Sequence, residues 1–337
     1  METGKDQTQI DFEAARRHAF WNELGAFLSG RPNRLLSWSE VRDELDLRGL
    51  VYQGVQAVPL AQIIGSVERY QDFDRAFMPK RDQIAPRWRS IASAHYSNTS
   101  LPPVTLHKVG DAYFVVDGHH RVSVARERGH GFVDAKVIEA EARVPVTVEL
   151  DAADLKIKGE YARFLERTRL DVLRPGQDVE FTAGGAYECL LERIAVHRHR
   201  MALEQQRQIP EDEAVGDWYD HSYLPLARII REQGILAAFP GRTEADLYLW
   251  IMDHQHVLRE QCGPDVDTER AAAHFADRRA APRFKRVVRA IRDWAAPFYK
   301  RETAGTICDL PPPSTGARHH SLKGHSDGTL ALEPHDG

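Results

Sequence analysis

From residue 11 to residue 29 the apolar positions Phe12, Ala15, Ala19, Trp21, Leu24, Phe27 and Leu28 recur at mostly helical spacing, and the run stops at Gly30-Arg31-Pro32. The spacing predicts an amphipathic leader helix, followed by a second short helix over residues 37–46. Near Gly54 the period changes. Short apolar runs over 55–60, 104–109, 113–116 and 133–138 predict strands, the middle two joined as a hairpin across Gly110-Asp111. Helices are predicted between them over 86–96 and 121–128. Beyond residue 158 the pattern is almost wholly helical, with segments over 162–170, 187–206, 218–233, 243–259 and 283–296. Thr243 and Asp246 have the spacing of a capping box at the start of the clearest of these.

This alternation followed by helices predicts an α+β fold with a small mixed sheet. The organisation expected is a helical leader over 1–50, a mixed-sheet domain over 51–150, an all-α domain over 151–303 and a disordered tail over 304–337. The tail assignment follows from composition, since Pro311-Pro312-Pro313 and its neighbours carry few apolar residues to bury.

Hydrophobic residues make up 42% and charged residues 28% of the 337, which is ordinary globular usage and argues against wholesale disorder. A net charge of -5 argues against a whole-surface basic field for nucleic acid and leaves room for a local one. The local basic stretch is Arg278 to Arg301, where Lys285, Arg286, Arg289 and Arg292 flank an apolar stripe. It is a candidate DNA contact, or a helix docked on acidic neighbours. The three cysteines, Cys189, Cys262 and Cys308, form neither a disulfide framework nor a CxxC motif. With no signal-like h-region and no long apolar span, a cytoplasmic protein without a membrane segment is expected, and a homodimer is left open.

Candidate chemistry concentrates at one junction. The apolar strand Phe114-Val115-Val116 runs into Asp117-Gly118-His119-His120-Arg121 and then into a helix. A helix start leaves backbone N–H groups unpaired and carries partial positive charge, so a glycine turn there suits phosphate oxygens. Arg121 offers a planar cationic fork, His119 and His120 offer hydrogen bonds, and Asp117 could orient a histidine or hold a metal ion. The same five residues read equally well as a turn and helix cap with solvated histidines. The His197/His199 and His254/His256 pairs are spaced i, i+2, about 200° apart on a helix, and make no zinc site. No P-loop, serine-hydrolase elbow or dinucleotide fingerprint occurs.

A strand, then Asp117-Gly118-His119-His120-Arg121, then a helix containing Ala125, resembles the signature of the ParB and sulfiredoxin superfamily over about residues 52–142. Gly118 and Arg121 match throughout, and Val58-Pro59-Leu60, Ile63 and Arg69 resemble its first conserved box. The resemblance implies a nucleotide-binding domain, with Arg69, Gly118, His119, His120 and Arg121 as ligand contacts. The ligand implied is ATP or CTP with magnesium. His119 stands where sulfiredoxins carry their cysteine, which speaks against that activity. In the superfamily's free-serine kinases a glutamate after the first strand is the general base. Glu68 lies at about that point, and its plain alternative is a solvated carboxylate. Two readings follow. One is an NTPase or small-molecule phosphotransferase using Glu68, Asp117 and His120. The other is a nucleotide-gated regulator that binds DNA or protein without catalysis.

Overall fold

The hairpin expected across Gly110-Asp111 sits in the middle of a six-stranded sheet. The computed structural model describes residues 2–30, 32–97, 99–263 and 265–279, with side chains from residue 7 to residue 276. In chain order the first elements are α1 (Glu2–Ser29), β1 (Leu36–Ser37), α2 (Trp38–Leu45), β2 (Arg48–Pro59), β3 (Ile63–Ser66), α3 (Ala85–Tyr96), β4 (Val104–Val109), β5 (Ala112–Asp117), α4 (His119–Glu127) and β6 (Phe132–Glu141). The sheet order is β1-β3-β5-β4-β6-β2. It is mixed: β1, β3 and β5 run parallel, β4 lies antiparallel to β5 and parallel to β6, and β2 closes the edge antiparallel to β6.

The alternation along the strands divides the side chains between two layers. Val104, Leu106, Val115, Ala135 and Val137 join α1, α3 and α4 in one core, centred on the buried Trp88. Trp88 Nε1 donates to Ser123 Oγ at 2.9 Å, so the polar edge of the indole is satisfied and α3 is fixed to α4. Phe114 points to the other face and meets Trp38 of α2, 5.2 Å between ring centroids. The leader helix belongs to the same core as the sheet: Phe12 packs edge-on against Trp88 at 5.5 Å.

The segment from Ser66 to α3 has no regular strand of its own and is held by two buried charges. Asp74 accepts from Met78 N at 2.7 Å and from Asn22 Nδ2 of α1 at 2.8 Å, and burial raises its pKa. Arg126 of α4 donates to the carbonyls of Leu60, Ile63 and Arg75, with its guanidinium 5.1 Å from the Phe77 ring centroid. Burial lowers the Arg126 pKa to about 10, which leaves it charged at neutral pH.

Every described element after β6 is helical: α5 (Ala152–Thr168), α6 (Leu170–Leu173), α7 (Ala186–Gln205), α8 (Glu211–Trp218), α9 (Leu224–Glu232), α10 (Glu244–Cys262) and α11 (Thr268–Arg279). The protein is therefore α+β, as the pattern predicts. Asp151 and Asp154 form a reciprocal capping box on α5, which starts it ten residues before the first predicted position. The helix predicted over 218–233 is interrupted by a π-turn over Tyr219–Tyr223, which places Asp220 against Arg174. The chain divides into two compact units, one through Asp253 and one from His254. The sheet lies wholly in the first. The basic stretch with Lys285, Arg286, Arg289 and Arg292, the helix expected over 283–296 and the tail over 304–337 lie outside the described residues.

Arg126 supplies a stability test. Arg126→Leu removes the donor from three carbonyls and is expected to cost about 3 kcal/mol, read as a lower urea midpoint at unchanged slope. A loss below about 1 kcal/mol would mean that water meets those carbonyls equally well.

Candidate functional site

Two alterations to the expected local structure create the site. The helix predicted from Arg121 begins two residues earlier, so both histidines lie in the first turn of α4. An unforeseen strand, β3, runs parallel to β5 and brings the turn after Ser66 beside that first turn. Gly118 makes the junction, with φ of 100° and ψ of 20°. A Cβ here would lie 2.5 Å from Val104 Cγ1, so both the left-handed backbone and the close strand contact require glycine. As the N-cap, Gly118 has no side chain to accept from the first-turn N–H groups.

That uncapped helix start opens into a cleft of about 620 Å³, bounded by Glu68, Arg69, Asp72, Gln83, Arg87 and the Asp117 to Arg121 segment. His119 is buried, and its Nε2 lies 2.7 Å from Ser66 Oγ, which in turn accepts the Arg69 backbone N–H at 3.0 Å. Ser66 Oγ thereby links the His119 ring to the backbone of Arg69. Arg69 Nη1 donates to His120 Nε2 at 3.1 Å, leaving the proton of a neutral ring on Nδ1, a buried atom without a partner among the described residues. Phe73 stacks on His119 and meets His120 edge-on. Burial, assisted by the Arg69 cation, lowers both imidazoles from 6.5 to about 4. At neutral pH the pair is uncharged and fixes the turn that carries Glu68 and Arg69.

Arg121 occupies a different role from an open fork. Its guanidinium donates to the carbonyls of Pro102 and Pro103 and, at 2.7 Å, to Asp117 Oδ2. It is largely buried, whereas Asp117 is exposed. The cations left open in the cleft are Arg69 and Arg87, both exposed. Glu68 is exposed on the rim, and Asp72 lies 3.5 Å from Arg81. Among the described residues no group of three or more His, Cys, Asp and Glu is arranged to hold a metal ion. Magnesium held mainly by phosphates needs only one or two carboxylates, which Glu68, Asp72 and Asp117 can supply.

No protein-family model matches the chain, and no curated protein matches it. Among solved structures it is similar to two of the pNOB8-like ParB N-domain. For the C2221 crystal form the identity is 10% and the TM-score 0.18, covering 72% of this chain and 99% of that one. For the other structure the identity is 11% and the TM-score 0.19, covering 76% and 94%. Similarity this slight carries no argument about what the cleft does. Among the described residues no helix is long and apolar enough to cross a membrane.

Sequence reading brought Glu68, Arg69, Asp117, Gly118, His119, His120 and Arg121 to notice, and all seven line this cleft. It missed Ser66, Asp72, Gln83 and Arg87. Arg87 follows Pro86 at the start of α3, where one exposed arginine on a helix looks like any other. Only the packing of α3 beside α4 gives it a position facing the cleft.

The depressed histidines predict an acid dependence of stability. Between pH 6.5 and about 4 the unfolded chain protonates while folded His119 and His120 do not. Stability is therefore present above 6.5 and falls as the pH drops through that window, by at most about 1.4 kcal/mol per pH unit per histidine. Urea midpoints measured from pH 7.5 to 4 check this, and His120→Gln is expected to flatten the slope. An equal slope in that variant would mean that folded His120 takes up its proton over the same range as the unfolded chain and is not depressed.

Proposed function

We propose that this cleft binds ATP or CTP through its phosphates, with magnesium, and that the protein is an NTPase or small-molecule phosphotransferase. The observation that carries the reading is the uncapped start of α4 opening into a cleft that holds two exposed guanidinium groups, Arg69 and Arg87. Terminal phosphate oxygens accept from the backbone N–H groups of His119 and His120, and Gly118 permits the close approach. Arg69 and Arg87 balance the negative charge. His120, neutral, accepts from Arg69 and keeps that guanidinium in place. Arg121 acts one step back, holding Asp117 and the Pro102-Pro103 segment around the glycine turn.

Phosphoryl transfer asks of a protein mainly positioning and charge stabilisation, and the cleft offers both. Glu68 makes no ion pair among the described residues and stands on the rim as the carboxylate that takes the proton of the attacking hydroxyl or water. Magnesium, when bound, would supply charge neutralisation on the phosphate oxygens, with Glu68, Asp72 or Asp117 as its protein ligands.

Calorimetry with ATP, CTP, GTP and ADP, with and without magnesium, tests the reading directly. Arg69→Ala and Arg87→Ala are each expected to weaken the preferred nucleotide at least about tenfold. Glu68→Gln is expected to bind as the parent protein does and to lose about 100-fold or more in turnover. Folded protein that binds none of these nucleotides would overturn the proposal.

A further inference from the structure

Helix α1 carries two apolar faces, and the core uses one. Phe12, Ala15 and Ala19 are buried, with Thr8 one turn earlier, and Asn22 continues the same face to hydrogen-bond Asp74 at 2.8 Å. The other face consists of Phe20, Trp21, Leu24, Phe27 and Leu28, which are 64%, 63%, 38%, 83% and 77% exposed. At 100° per residue these five fill a stripe of about 120°, on the side of the helix opposite the core. A stripe of this width is the mark of a helix packed against a neighbour, and single exposed apolar residues do not produce it.

We infer that this outer face is a homodimer interface, in which α1 lies antiparallel on α1 of a second copy about a two-fold axis at Leu24. The spacing of the stripe suits a second copy as the occupant. Positions 20, 21, 24, 27 and 28 are symmetric about 24, so an antiparallel pairing sets Phe20 against Leu28 of the copy, Trp21 against Phe27, and Leu24 against itself. A two-fold interface requires this self-complementarity, since residue i must meet j while j meets i. Gly25 assists: a Cβ there would have nothing within 4 Å among the described residues, so none of them covers that side.

Charge and area agree with the pairing. The last turn of α1 carries no basic residue to meet its carbonyl end. In the antiparallel arrangement that end comes beside Phe20 of the other copy, at a groove lined by Arg16, Arg17, Glu23 and Lys80, where Arg16 pairs with Asp82 and Lys80 with Glu23, which leaves Arg17 as the cation with no ion pair among the described residues. The five side chains present roughly 700 Å² of largely apolar surface per copy, the most that they can bury, against the roughly 800 Å² buried per partner in a standard stable interface.

Sedimentation velocity on the full chain from about 1 to 100 µM tests the inference. The parent protein is expected to sediment as a dimer. Phe27→Glu, and separately Leu24→Glu, are expected to weaken dimerisation at least about 100-fold, because each change enters the interface twice. Both positions are partly or wholly outside the core, and an unchanged far-ultraviolet circular dichroism spectrum with a cooperative unfolding transition confirms that the variants fold. A second readout does not depend on a disrupted interface. In a background with Cys189, Cys262 and Cys308 replaced by serine, Leu24→Cys is expected to cross-link to itself under mild oxidation, and Val55→Cys on the exposed edge strand β2 is not. A monomer throughout the range overturns the inference. So does a dimer that survives both glutamate variants and fails to cross-link at position 24, which would place the contact elsewhere, with the exposed Leu50, Val51 and Tyr52 of β2 as the next surface to test.

Discussion

The left-handed turn at Gly118 is the constraint on which the rest of the cleft depends. Its backbone lies against Val104 of the neighbouring strand so closely that no Cβ fits, and its φ is one that other residues adopt only under strain. Through that single residue the chain leaves the central strand β5 and enters α4 with its first N–H groups facing outward. A side-chain cap at the same point would have met those donors internally. The absence of one leaves the helix start open to the cleft, and the strand contact fixes where that start lies.

The residues around this turn divide the work by charge state. Burial keeps His119 and His120 neutral at physiological pH, and they act as hydrogen-bonding struts between the Ser66 turn and α4. Arg121 is likewise held inside, on two proline carbonyls and Asp117. The open positive charge comes from elements on either side, Arg69 from the turn after β3 and Arg87 from α3. A cleft built this way separates scaffold from contact: the conspicuous motif supplies rigidity and the backbone donors, and its neighbours supply the charge.

Helix α1 extends the same economy of elements to the surface. Its inner face closes the core over Trp88 and reaches Asp74, whose hydrogen bonds order the loop bearing Phe73, and Phe73 in turn stacks on His119. The leader helix thus supports the cleft from behind while its outer face remains apolar and open. An interface on that outer face would stabilise the helix that underlies the site without occupying the cleft.

The sequence by itself determined the elements whose information is local. The hairpin at Gly110-Asp111, the helical spacing of α1 and the strand-glycine-helix junction at Asp117 to Arg121 are written in periodicity and turn residues, which act over a few positions. The α+β class followed from their order. Tertiary structure alone decided the pairing of β3 beside β5, because Ile63–Ser66 is four residues long and carries no alternation to read. It decided that the histidines are neutral, since their shift comes from burial under Phe73 and from Arg69, fifty and fifty-one residues away. It decided that Arg121 turns inward and that Arg87 faces the cleft, because a guanidinium goes where folded carbonyls and packed helices leave it donors to give, and those partners exist only once distant segments have met.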